Sequence, residues 1–162
     1  MPGPLWKMPP ITKVYEALGA IGDSRVRIED PRRAHVTSSD GTKTYEVENS
    51  EDGAEISSND NASFWQGYLG YPAIAVMIAR GLIDADETAV RALAGVPWKA
   101  LNTRHRNDYD RTLEDVMQRA SANGYDPAKI RAAAEAVLEA VRAIAPHQGP
   151  RRRPPRAQSK SR

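Results

Sequence analysis

The chain has 162 residues and no cysteine, with 23 Lys plus Arg against 21 Asp plus Glu, a formal charge of +2 and a sequence pI near 9.0. That length suits one domain burying about two-thirds of its unfolded surface, and 40% hydrophobic with 27% charged residues excludes a collagen-like, wholly disordered or fibrous coiled-coil chain. Without cysteine there can be no disulfide scaffold, zinc knuckle, iron–sulfur cluster or thiol nucleophile.

The first residues, 1–9, are rich in proline and read as a flexible leader without an apolar signal core. Ile11, Val14, Tyr15, Leu18 and Ile21 then recur at helical spacing, with Pro10 suited to the first turn and Gly19 and Gly22 marking the end. From Ser24 to Ser57 the period changes to two. Val26 and Ile28, Ala34 and Val36, Tyr45 and Val47, and Ala54 and Ile56 alternate with polar neighbours, and Asp30-Pro31, Asp40-Gly41 and Asp52-Gly53 mark the turns. The pattern predicts a four-stranded antiparallel meander with one apolar face, which only the flanking helices can cover.

Between sheet and helices lies the most unusual stretch of the chain. Asn59, Asp60, Asn61 and Ser63 precede Phe64, Trp65, Tyr68 and Tyr71, with Gln66, Gly67 and Gly70 interspersed. Polar groups converging beside aromatic walls describe a ligand mouth, with Asn59, Asp60, Asn61, Trp65, Gln66 and Tyr68 as ligand-binding candidates. The same residues also serve as turn-formers and caps ahead of aromatics that pack under the sheet.

Pro72 opens a helix from Ala73 to Arg80 that is apolar nearly all round, as the buried centre of a domain would be. Its Ala73–Ala79 run is the longest apolar stretch, well short of the roughly 20 residues that span a membrane. Neither membrane association nor secretion is expected, which places the chain in the cytoplasm. Asp84 or Asp86 caps a second helix that stops at Gly95. Pro97 starts a long helix with Trp98, Leu101, His105, Tyr109, Leu113, Val116, Met117 and Ala120 on one face, ending at Asn123-Gly124. The pair meeting at Gly95 resembles a helix-turn-helix over about 20 residues. Lys99, Arg104, Arg106 and Arg111 on its second helix are then candidates for phosphate or base contact. The pattern departs at Arg91, where close helix crossing wants a small residue.

The last helix, Pro127 to Ala145, sets Ile130, Ala134, Val137, Leu138, Val141 and Ile144 against an exposed charged side, and its Ala-rich face would admit a protein partner or a second copy. Arg151, Arg152, Arg153, Arg156, Lys160 and Arg162 follow in a stretch without acid, so residues 147–162 read as a disordered basic tail able to contact DNA or RNA. Without those six, residues 1–150 hold 17 basic and 21 acidic side chains, a net of −4. The pI therefore belongs to the tail.

No Walker loop, nucleophile elbow, dinucleotide fingerprint or metal-ligand spacing occurs, so neither a cofactor nor a metal nor a catalytic role is expected. The expectation is an α+β domain over residues 10–146: one helix, the meander, then about four helices on one face of the sheet. Its leading function is nucleic-acid contact through the tail and the helix pair. The alternative is a ligand or interaction module using Asn59 to Tyr71.

Overall fold

In a computed structural model, which describes residues 2–155, the chain is α+β. Helix α1 (Ile11–Gly22) precedes strands β1 (Val26–Ile28), β2 (Arg33–Thr37), β3 (Thr44–Asn49) and β4 (Glu55–Ser58). A five-residue π-helical turn (Ala62–Gln66) leads into α2 (Tyr71–Ala79), α3 (Glu87–Ala92), α4 (Trp98–Arg104), α5 (Tyr109–Ala122) and α6 (Pro127–Ile144). A short strand, β5 (His147–Gln148), completes a mixed five-stranded sheet of order β1-β2-β3-β4-β5.

Strands β1 to β4 pair antiparallel in sequence order, with Val36 opposite Tyr45 and Ala34 opposite Val47. Burial alternates along β2 and β3 as the period-two pattern requires, so Ala34, Val36, Tyr45 and Val47 face the helices. Ile28 departs from the expectation and is 43% exposed, because β1 is the free edge and its end reaches past the helical cover. Helix α2 is buried from Pro72 to Met77, packed between the sheet and α1. That position explains its composition: a helix covered on both sides needs no polar face.

Three expectations need correction. The long helix predicted from Pro97 to Asn123 is two helices, because Arg106 and Asn107 adopt positive φ (52° and 61°). Asn107 N–H closes that turn on Asn102 O, and Asp108 then caps α5 by accepting from Arg111 N. The apolar rhythm runs through the break because the interruption is about one helical turn long. The leader is not loose. Gln148 N donates to Pro4 O, Trp6 N to Pro146 O and Lys7 N to Gly67 O, while Trp6 Nε1 reaches Ile56 O at 3.0 Å. Nor does the tail begin at 147. β5 lies parallel to β4, and Gly149 N donates to Ile56 O. Both termini carry little apolar surface, but the β4 edge supplies backbone partners to β5, and the leader in turn bonds to Pro146, Gln148 and Gly67, none of which composition reveals.

Removing everything after Pro146 removes the backbone hydrogen bonds of His147 N, Gln148 N and Gly149 N, together with that from Ser57 Oγ to Pro150 O and the contacts of Arg151 and Arg152. At about 1 kcal/mol per hydrogen bond, thermal or urea unfolding should show a loss of at least about 3 kcal/mol. An unchanged midpoint would mean that β5 adds no stability.

Candidate functional site

The polar stretch before α2 divides into a structural half and an exposed half. Asn59 Oδ1 accepts from Glu46 N (2.8 Å) and its own N–H donates to Glu46 O, extending the β3–β4 ladder with a side chain. Asp60 is buried and receives Ser58 Oγ (2.5 Å), Ser63 Oγ (2.7 Å) and Ser63 N (3.1 Å). Gly70 N donates back to Ser63 Oγ, and a Cβ at Gly70 would stand 1.9 Å from Asp60 Oδ2. This knot of Ser58, Asp60, Ser63 and Gly70 aims α2 into the core. Trp65 is 66% exposed, Gln66 is exposed, and Tyr68 is half-buried beside Lys7 through a backbone bridge. Of the six ligand candidates only Asn61 lines the cavity described next, together with Tyr71 from the end of the same stretch.

That cavity, of about 280 Å³, lies where α1, the β2–β3 loop, β3 and the start of α4 meet. Glu16, in the second turn of α1 and 5% exposed, lines it and accepts from Lys13 Nζ (3.3 Å) and Asn102 Nδ2 (3.0 Å). Burial works to lower the Lys13 pKa, but Glu16 and Tyr109 outweigh it and hold the ammonium above its usual value. Tyr45 and Tyr71 meet edge to face at 6.1 Å. Burial, then Asp60, Asp40 and Glu16, pushes the Tyr45 phenol up to about 12. Burial, then Tyr45, raises Tyr71 as well. Arg25 reaches over the Tyr71 ring (5.9 Å) and donates to Thr37 O (2.7 Å).

At the outer end, Lys99 pairs with Asp40 (3.6 Å) and its backbone N donates to Ser39 Oγ. Burial alone would raise the Asp40 pKa, but donors from Thr42 and Ser38, with Lys99 nearby, hold its carboxyl well below the usual range. Lys43 lines the same rim, and no carboxylate pairs with it among the described residues. Two polar atoms of the lining are buried without a partner, Trp98 Nε1 and Asn102 Oδ1. The Trp98 indole can lie against α1 because residue 19 is glycine, where a Cβ would stand 2.5 Å from Nε1.

Four cations line it, and three are paired: Lys13 with Glu16, Arg25 with Asp23 (3.4 Å) and Lys99 with Asp40, which leaves Lys43 as the unpaired one among the described residues. Other hollows lack such a set. The larger one of about 650 Å³ beside α6 is walled by Ala132, Ala133 and Ala136, and its Asp86 and Asp126 already cap helices. Among the described residues no group of three or more His, Asp or Glu could hold a metal ion, and no helix is long and apolar enough to cross a membrane.

The predicted nucleic-acid residues do not form one face. Lys99 belongs to the cavity rim, Arg104 ends α4, Arg106 sits in the left-handed turn, and Arg111 pairs with Asp108 on α5. Helices α3 and α4 do not pack as a helix-turn-helix: α3 lies mainly on α1 and α6, and α4 on α5. Their six and seven residues are too short for the expected crossing. In the tail, Arg151 covers the Phe64 ring at 4.4 Å and donates to Phe64 O, Arg152 spans Glu46 (3.0 Å) and Glu48 (2.7 Å) on the outer face of the sheet, and Arg153 is exposed. Arg156 lies outside the described residues. The Ala-rich last helix buries Ile130, Ala134, Val137 and Val141 within its own domain.

Sequence reading missed Lys13, Glu16, Arg25, Lys43, Tyr45 and Asn102 as cavity residues. One signal was present: α1 is apolar nearly all round, so Lys13 and Glu16 three residues apart imply a paired charge inside it.

The fold and this cavity define a small α+β protein with a polar, cation-rich internal site. The chain belongs to the family described as uncharacterised conserved protein UCP014422, whose pattern matches residues 6–147. No curated protein and no solved structure matches it.

Because Tyr45 binds its proton more tightly folded than unfolded, the contribution is complete below about pH 10, the ordinary tyrosine value, and is lost as pH rises toward 12. Unfolding free energy should fall across that window, and by less in Tyr45→Phe. Equal slopes for the two proteins would refute the raised value.

Proposed function

We propose that this protein binds a small anionic molecule in the cavity between α1, the β2–β3 loop and α4. The observation that carries this reading is a cavity lined by four cations, one of them unpaired among the described residues, in a domain whose residues 1–150 carry a net of −4. Charges scattered for solubility would follow the domain's sign, whereas a cavity that reverses it attracts anions and desolvates them against fixed donors. Among the described residues Lys43 has no carboxylate partner, and it is the cation free to pair with a ligand.

Calorimetric titration with inorganic phosphate and small mono- and dicarboxylates tests this. At least one anion should bind, weaken with added sodium chloride, and lose about tenfold in affinity in Lys43→Ala, the scale of one charged contact. Binding indifferent to both salt and Lys43 would sink the reading.

A second reading, contact with single-stranded DNA or RNA, rests on Trp65. This ring is 66% exposed, stands edge to face on Phe64 at 4.6 Å, and Phe64 in turn carries Arg151. An exposed ring beside a basic stretch suits base stacking with phosphate contact. A labelled oligonucleotide should bind at low salt, and Trp65→Ala should weaken it by roughly 5- to 100-fold, since stacking is worth about 1–3 kcal/mol per base. If anisotropy shows no binding at low salt, this reading fails.

A further inference from the structure

Strand β1 is the one edge of the sheet left open among the described residues. At the other edge β5 is already covered, since Leu5 of the leader bridges to His147 and Gln148 N donates to Pro4 O. On β1, Thr37 N donates to Arg25 O and Glu29 N to Arg33 O, so residues 25, 27 and 29 turn their backbone groups toward β2. By the alternation of an antiparallel ladder, Val26 and Ile28 point their N–H and C=O groups outward, where nothing in the described chain pairs with them. Ile28 is also the only strand residue among the exposed large hydrophobics. Open backbone groups beside an exposed Ile are a template for a further strand.

The charges on this edge select the strand that fits. A second copy pairing antiparallel about a two-fold axis must set outward-pointing residues opposite each other, which allows centres within the strand at Val26, Arg27 and Ile28. Centring on Arg27 sets the two Arg27 side chains against each other, and centring on Val26 sets Arg27 against Arg25, both unfavourable. Centring on Ile28 sets each Arg27 opposite Glu29 of the other copy and brings the two Ile28 side chains together. Arg27 is exposed and makes no ion pair among the described residues. Glu29 is 49% exposed and meets His35 through Oε2 alone. The ladder is short: the Ile28 pair exchanges two hydrogen bonds, and the next position is closed because Asp30 N donates to Arg33 O and Asp30 O accepts from Arg80. Apolar contact adds to it, since the edge beside Ile28 opens on a hollow of about 320 Å³ walled in part by Pro31, Ala79 and Leu82.

We infer that this protein self-associates through β1, two copies pairing antiparallel about Ile28 with Arg27 of each opposite Glu29 of the other, so that two sheets join edge to edge. The inference is independent of the cavity and of what it binds. Sedimentation velocity on the full chain, from about 1 μM to about 1 mM where small interfaces dissociate, should show passage from monomer to dimer. Arg27→Glu, which sets acid against acid, and Glu29→Arg, which sets base against base, should each weaken the dimer by at least about fivefold, because the symmetry counts every cross-strand pair twice. The two substitutions together reverse both charges and should restore the dimer to within about twofold of the unmodified chain. Glu29→Arg also gives up the His35 contact. Should it fail to fold, Arg27→Glu, at a side chain without a partner, still decides. A chain that stays monomeric to about 1 mM overturns the inference. A dimer indifferent to Arg27→Glu, or a folded double variant that stays monomeric, overturns it equally.

Discussion

The burial of α2 on both sides is the constraint from which the other elements take their places. A helix with no polar face has to be walled in, and here the sheet supplies one wall and α1 the other. Each wall must then present apolar residues inward. That accounts for the alternation in β2 and β3, and for a helix α1 buried from Val14 to Ala20. The helix also has to enter the core at a fixed angle. Asp60 sets that angle, because its carboxylate gathers Ser58 and Ser63, and Ser63 in turn receives Gly70, the residue just before α2. The tight approach at Gly70 makes this a closed arrangement rather than a loose turn.

The cavity follows from the same packing. Helix α1 is covered nearly all round, so its polar residues have no route to water along the helix face and open sideways instead, toward the β2–β3 loop and α4. Helix α4 reaches them because it is short and ends at the left-handed turn of Arg106 and Asn107. A straight helix from Pro97 to Asn123 could not both hold Trp98 against Gly19 and lay Val116 and Met117 into the core. His105 ties the two pieces together through Asp115 at 2.6 Å. The break is therefore what allows one stretch of chain to serve the site at one end and the core at the other.

How much of this was legible depended on whether the cause was local. Period two in Ala34-x-Val36 and Tyr45-x-Val47, and the apolar run of α2, are imposed by burial on the residues themselves, so the α+β class and the central helix could be read. The break at Asn107 was visible only as an Asn-Asp pair, since a gap of about one turn keeps Leu101, Tyr109 and Leu113 in phase. Strand β5 has no apolar signature, because a row of backbone groups on β4 holds it, and the leader is held by backbone bonds to Pro146, Gln148 and Gly67 with only Trp6 packed on the core. The cavity was the least legible. Lys13, Lys43 and Lys99 are far apart in sequence, and each looks like an ordinary surface lysine until the β2–β3 loop and α4 are set against α1.

Charge shows why a regional count improves on a whole-chain one and still falls short. Removing the terminal arginines and lysines turned +2 into a domain of −4, yet that average hides a second inversion inside the domain. Arg152 is spent on Glu46 and Glu48, Arg33 on Glu48, and Arg111 and Arg142 on acids three residues away along their helices. Such exposed pairs are worth roughly 0–1 kcal/mol each and cancel in the far field. What survives cancellation has direction. On the outer face acids and bases balance; in the cavity Lys13, Arg25 and Lys99 are paired with Glu16, Asp23 and Asp40, and among the described residues Lys43 has no acid to answer it. The field beside Lys43 is therefore local and positive although the domain is acidic, because a cation held beside low-dielectric walls is screened far less than paired charges in water.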